Sequence, residues 1–151
     1  MPHSDKDFNN DGNTIGNWWF TISSTDPNGT GNYIRDIKII PQKFQELHDA
    51  GGIFNPDWIA LIKDARQIRF MDWMSTNNSK ITTWAEQRKW DDYTWAENVP
   101  VTVQVRLANE IGSDPWFNIP FHADDNYVRM FATYVRDNLD PRLVARVELS
   151  N

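Results

Sequence analysis

The run WFNIP (116–120), DDNYVRMFATYVRDN (124–138) and LVARVEL (143–149) decides the fold class, because the period of its apolar residues changes twice along it. Residues 116–119 form a short β-prone run that Pro120 closes, since proline cannot donate to a strand ladder. Over 124–138, Tyr127, Met130, Phe131, Tyr134 and Val135 recur at helical spacing and predict one buried helix face. β-type residues return over 143–149. Upstream, residues 56–65 place Trp58, Leu61, Ile62 and Ala65 on one helix face, with Pro56 near the first turn. Residues 68–71, IRFM, then read as a buried strand ending at Asp72. Short strands alternating with helices imply a parallel sheet with helices on its faces, either an open doubly wound sheet or part of a closed barrel.

Other segments are less decided. Residues 101–111 alternate Val101, Val103, Val105 and Leu107 like a strand, while Pro100 in front and Leu107, Ala108 and Ile111 behind suit a helix. Residues 18–24, WWFTISS, and 33–41, YIRDIKIIP, read as two strands around the turn-rich 25–32. Between 72 and 100 the chain is polar, aperiodic and rich in tryptophan, holding Trp73, Trp84, Trp90 and Trp95. Loops of that length in compact domains are usually functional.

The composition narrows the function classes. The 151 residues carry 21 acids and 15 bases, for a net charge of -6, without a cluster of Lys or Arg. A phosphate-backbone partner is therefore not expected, because such binding is driven by basic side chains. A mean hydropathy of -0.64 and the lack of a run of about 20 apolar residues argue against a membrane-spanning helix. The chain has no cysteine, which removes disulfides, thiolate metal sites and cysteine nucleophiles together. Eight tryptophans are several times what a domain of this size carries, and they suggest carbohydrate, whose flat C–H faces stack on indole. Burial in the core is the competing use of each one.

Residues 1–16 read as a flexible Asn/Asp/Gly-rich tail without a secretory signal. Within it Asp7, Asn9, Asp11 and Gly12 match the start of a calcium loop, but position twelve is Trp18 where that loop has its bidentate Glu. Calcium is thus a weak candidate, and no other cofactor or metal is expected, since His3, His48 and His122 lack metal spacing.

Six segments carry a more specific signal: NYIRDIKIIP (32–41), FNPDWI (54–59), IRFMDWMSTNNS (68–79), LANEIGSDPWFNIP (107–120), DDNYVRMFATYVRDNLDP (124–141) and VELSN (147–151). Together they resemble a family of bacterial secreted, cellulase-like proteins with a barrel of the retaining glycoside-hydrolase type. The resemblance spans roughly residues 17–151 and implies the N-terminal half of a (β/α)8 barrel. It implies a β-rich lead over 17–53 and the first four barrel strands over 54–151, with both ends cut. It also implies a helix at 101–112, an extracellular location, and polysaccharide or oligosaccharide as the partner. VELSN would be the fourth strand, with Asn151 as the Asn of an Asn-Glu pair whose acid/base Glu would follow. With that Glu and the nucleophile absent, the expected function is a glycoside-hydrolase fragment inactive alone. The alternatives are a non-catalytic carbohydrate-binding or cell-surface module, and a truncated reading frame without its own function. Exposed half-barrel edges would favour a homodimer.

Retaining hydrolysis uses two carboxyl groups about 5 Å apart, and barrels carry their chemistry at the C-terminal strand ends. The candidates at those ends are Asp72, to bind a sugar hydroxyl or hold a base; His122, to orient the acid/base; and Asn151. Trp73 and Trp116 are candidate stacking platforms and Asp124 a candidate sugar contact. Each has a plain alternative as cap, surface or core residue. Asn109-Glu110 mimics the catalytic pair but falls inside the expected helix, and Glu148 reads as a structural sheet residue.

Overall fold

The computed structural model describes residues 21–35, 37–92, 94–96 and 98–149, and the chain divides into two units, Met1–Lys43 and Phe44–Asn151. In the first unit the turn-rich stretch is organised by Asp26. Its carboxylate accepts hydrogen bonds from the Thr30 amide (3.1 Å), the Thr30 hydroxyl (3.2 Å) and the Gly31 amide (2.7 Å). Those backbone donors, Gly31 first, hold the Asp26 carboxyl below its ordinary pKa.

The second unit runs α1 (Gln45–Asp49), α2 (Pro56–Ile62), β1 (Gln67–Arg69), α3 (Val101–Ile111), β2 (Asp114–Ile119), α4 (Asp125–Asn138) and β3 (Arg146–Leu149). The strands form one sheet in the order β1-β2-β3, both pairings parallel, with Arg69 beside Trp116 and Trp116 beside Arg146. Consecutive parallel neighbours need a crossover, and α3 and α4 supply the two.

Local chemistry explains the helices. Asn55 caps α2 by accepting from the Asp57 amide at 2.8 Å, with Pro56 in the first turn. Asp124 caps α4 in the same way through the Tyr127 amide, at 2.6 Å. The ambiguous 101–111 run is helical, bounded by Pro100 and by Gly112 at φ +66°, the left-handed geometry that ends helices. Its alternating valines fit a helix because Val101, Val103, Val105, Leu107, Ala108 and Ile111 are all buried, around much more than one narrow stripe.

The core is aromatic. Phe70, following β1, stacks on Phe117 of β2 at 5.5 Å, and Phe117 meets Phe131 of α4 edge-on at 5.4 Å. Tyr127, Phe131 and Val135 form the buried stripe of α4, while Met130, expected on it, is exposed. On α2 the inward residues are Trp58, Ile59 and Ile62, and Leu61 is 83% exposed. The seam therefore runs one position away from the expected one. Asn109 ties α3 to the end of α4, donating to the Asn138 carbonyl (2.9 Å) and accepting from the Asp140 amide (2.8 Å).

Two expectations are overturned. The half barrel is not present: the described residues hold three parallel strands in one small sheet, a small α/β domain and not half of a closed barrel. The β-rich lead over 17–53 is not found either, because its described residues contain no strand and include α1. Ile22, Tyr33, Ile34, Ile37 and Ile39 are exposed instead. Alternation makes a segment competent for pairing, but without a partner it gains neither ladder bonds nor a covered face. Residues 18–20, the calcium candidates Asp7, Asn9 and Asp11, and Asn151 lie outside the described residues.

Candidate functional site

Parallel strands bring their C-terminal ends to one edge of a sheet, where ligands of open α/β folds bind. There the chain leaves β1 through Phe70 into the long 72–100 segment, which has two short 3-10 turns, Thr76–Asn78 and Trp84–Glu86, as its regular structure. Specific bonds hold it down. The Trp73 carbonyl accepts from the Val99 amide at 2.7 Å, joining the segment's two ends, and the Thr82 carbonyl accepts from the Asp124 amide at 2.9 Å. Trp84 packs edge-on against Tyr127 at 5.4 Å, and Gln87 donates to the Tyr127 hydroxyl at 2.7 Å. Burial pushes that phenol up to about 12.

Two hollows result. The first, about 410 Å³, is lined by Ile53, Phe54, Asp72, Trp73, Trp95 and Val99 among others. Its described lining is aromatic and aliphatic, with Asp72 as the carboxylate. Trp73 is fixed in it, edge-on to Phe70 at 5.1 Å and stacked on Trp58 at 6.2 Å. Trp95 is held by its indole N–H, which donates to the Lys89 carbonyl at 3.2 Å, and by Trp90 at 6.0 Å. Asp72 is exposed, so its carboxylate is available at the cleft. The second hollow, about 530 Å³, is polar and lined by Ser75, Lys80, Glu86, Arg88 and Asn98 among others.

Asp72 and Trp73 line one hollow, and His122, Asp124 and Trp116 are not among its described lining residues. His122 is exposed, with its ring against Phe121 at 4.8 Å. Asp124 is occupied as the cap of α4. Trp116 lies within the sheet with the guanidinium of Arg69 at 4.6 Å from its ring centre and that of Arg146 at 5.7 Å, so cations cover the indole proposed for stacking. Glu148 pairs with Arg69 and accepts from Asn118 at 2.6 Å, and the Arg69 contact above all holds its carboxyl below the ordinary glutamate range. Asn109 serves the helix junction, as its place inside α3 requires. Trp95 and Asn98 were not singled out in the sequence. Trp95 carried the same signal as the other loop tryptophans, and nothing local marks Asn98.

Among the described residues no group of three His, Asp or Glu side chains could hold a metal ion, and no helix is long and apolar enough to cross a membrane. No family model, no curated protein and no solved structure matches this chain.

Proposed function

We propose that the chain binds carbohydrate in the aromatic cleft, with Trp73 and Trp95 as stacking surfaces and Asp72 accepting hydrogen bonds from sugar hydroxyls. The observation that carries the reading is the joint placement of two tryptophans, Phe54 and an exposed carboxylate around one hollow of about 410 Å³. That volume is within the usual ligand-site range of about 300–1,000 Å³. Indole and phenyl faces favour the C–H faces of a sugar, and a lone carboxylate fixes its orientation. The resemblance to secreted, cellulase-like proteins supports the same partner and an extracellular setting. Binding is the reading supported here because, among the described residues, Asp72 is the carboxylate that lines the cleft, where retaining cleavage uses two.

The test is titration with a cello-oligosaccharide while following tryptophan fluorescence. Trp73→Ala should weaken the response about tenfold or more, as expected when a ring worth about 1.5 kcal/mol of contact is removed. Asp72→Asn should weaken it less, and Glu110→Gln should leave it unchanged. An unaltered titration in Trp73→Ala would discard the cleft. Reducing sugar released by the purified chain, and abolished in Asp72→Asn, would restore a hydrolytic reading.

A second copy of the chain is the proposed protein partner, through the outer edge of β3. Val147 and Leu149 there are 50% and 66% exposed, and β3 pairs on that side with no described strand. Antiparallel self-pairing centred on Val147 sets Arg146 opposite Glu148 of the partner subunit, twice, and Val147 opposite itself. Val147→Lys should abolish concentration-dependent dimerisation in sedimentation.

A further inference from the structure

We infer that the second hollow is a separate binding site for a hydroxylated carboxylate of the sugar-acid class. Its decisive feature is Asn98, 2% exposed in the wall of the hollow, whose carboxamide nitrogen and oxygen both lack a hydrogen-bond partner among the described residues. A buried amide with neither end satisfied costs free energy in the unliganded chain, and native proteins leave few such groups. A ligand offering an acceptor and a donor at one position, as a hydroxyl does, would satisfy both.

The charges specify the rest. Lys80 and Arg88 line the same hollow, and neither makes an ion pair among the described residues. Glu86 is also in the lining, but one of its carboxylate oxygens already accepts from the amides of Thr82 (2.9 Å) and Thr83 (2.8 Å). Its charge is thus partly answered by the backbone, and among the described lining residues two cations stand against one such carboxylate. Ser79, whose oxygen accepts from the Ile81 amide at 3.2 Å, keeps its hydroxyl proton for a ligand. An anion without a hydroxyl would use Lys80 and Arg88 and leave the Asn98 amide oxygen without a donor; a neutral sugar would satisfy the amide and leave the cations unanswered. A carboxylate carried on a hydroxylated ring serves both. This site shares no lining residue with the aromatic cleft, and the inference stands apart from the reading given to that cleft.

Calorimetric titration of the full chain with D-glucuronate, D-glucose and acetate tests it. Glucuronate should bind about tenfold or more tighter than either of the others, which each lack one of the two features. The double variant Lys80→Gln, Arg88→Gln changes exposed side chains, so it should fold as the parent does and bind glucuronate no better than glucose. Asn98→Leu should lose about tenfold in glucuronate affinity with no fall in Tm, because an apolar side chain of similar size removes the orphaned amide. Trp73→Ala should leave glucuronate binding intact, and Lys80→Gln, Arg88→Gln should leave the cello-oligosaccharide response intact, so failure at one hollow is distinguishable from failure at the other. Equal affinity for glucose and glucuronate, acetate binding as tightly as glucuronate, indifference to the double variant, or a sharp drop in Tm for Asn98→Leu would each overturn the inference.

Discussion

The two faces of the three-stranded sheet are built on opposite principles. Toward α4, Phe117 and Ile119 of β2 are fully buried and continue into Phe70, Tyr127 and Phe131. On the other face the register lines up Arg69, Trp116 and Arg146 in one row and Asn118 beside Glu148 in the next. The first face gains stability from apolar area and ring packing, which need no partner of fixed geometry. The second keeps charged groups half-covered, so each must find a specific partner, as Glu148 does in Arg69 and Asn118. Parallel sheets covered on both sides normally read as apolar throughout. The ionic face marks where this sheet departs from that pattern.

The sharpest way to break the contrast is to remove one ring from each face. Phe117→Ala should cost about 3–5 kcal/mol in urea unfolding, from lost transfer energy and the cavity left among Phe70 and Phe131. Trp116→Ala should cost clearly less, since its ring lies among solvated arginines; equal losses would mean that the ionic face is as much a core as the other. Next in size is an alkaline effect. The Tyr127 phenol, pushed up to about 12 from 10 by burial, must stay neutral in the folded chain. Its contribution is complete below the unfolded value and disappears as pH rises from about 10 to about 12, a loss of about 3 kcal/mol. Tyr127→Phe should remove that alkaline transition while lowering stability at neutral pH, because Gln87 loses its partner. The smallest effect belongs to the ionic face. Arg69 depresses the Glu148 carboxyl, so its contribution is present above the ordinary glutamate pKa and is lost as pH falls through the folded value. Glu148→Gln should flatten the acid side of the stability curve with little change at pH 7.

The site was legible in the sequence only in part. The length and composition of the Trp-rich 72–100 segment marked the stretch that lines the candidate cleft, and Asp72 with Trp73 were marked by their position after a strand. Composition cannot tell an open indole from one flanked by arginines, as Trp116 is by Arg69 and Arg146, and that difference lies in strand register. Asn98 left no trace, since an amide becomes an unsatisfied one only through the walls that close around it.

The sequence by itself determined the alternation of strand and helix over 56–149 and the aromatic content, and the Asn55 and Asp124 caps and the Gly112 stop seen in the structure are set just as locally. These are local choices, made by side chains acting on their own backbone within a few residues. Tertiary structure decided what local choices leave degenerate. It made VTVQVRLANEI a helix, because its broad apolar surface is buried on several sides, and left YIRDIKIIP out of the sheet, because alternation without a neighbouring strand satisfies no ladder. It also limited the sheet to three described strands where alternation alone allows a doubly wound sheet or a barrel, since the number of strands depends on long-range pairing and the period of two is the same in each.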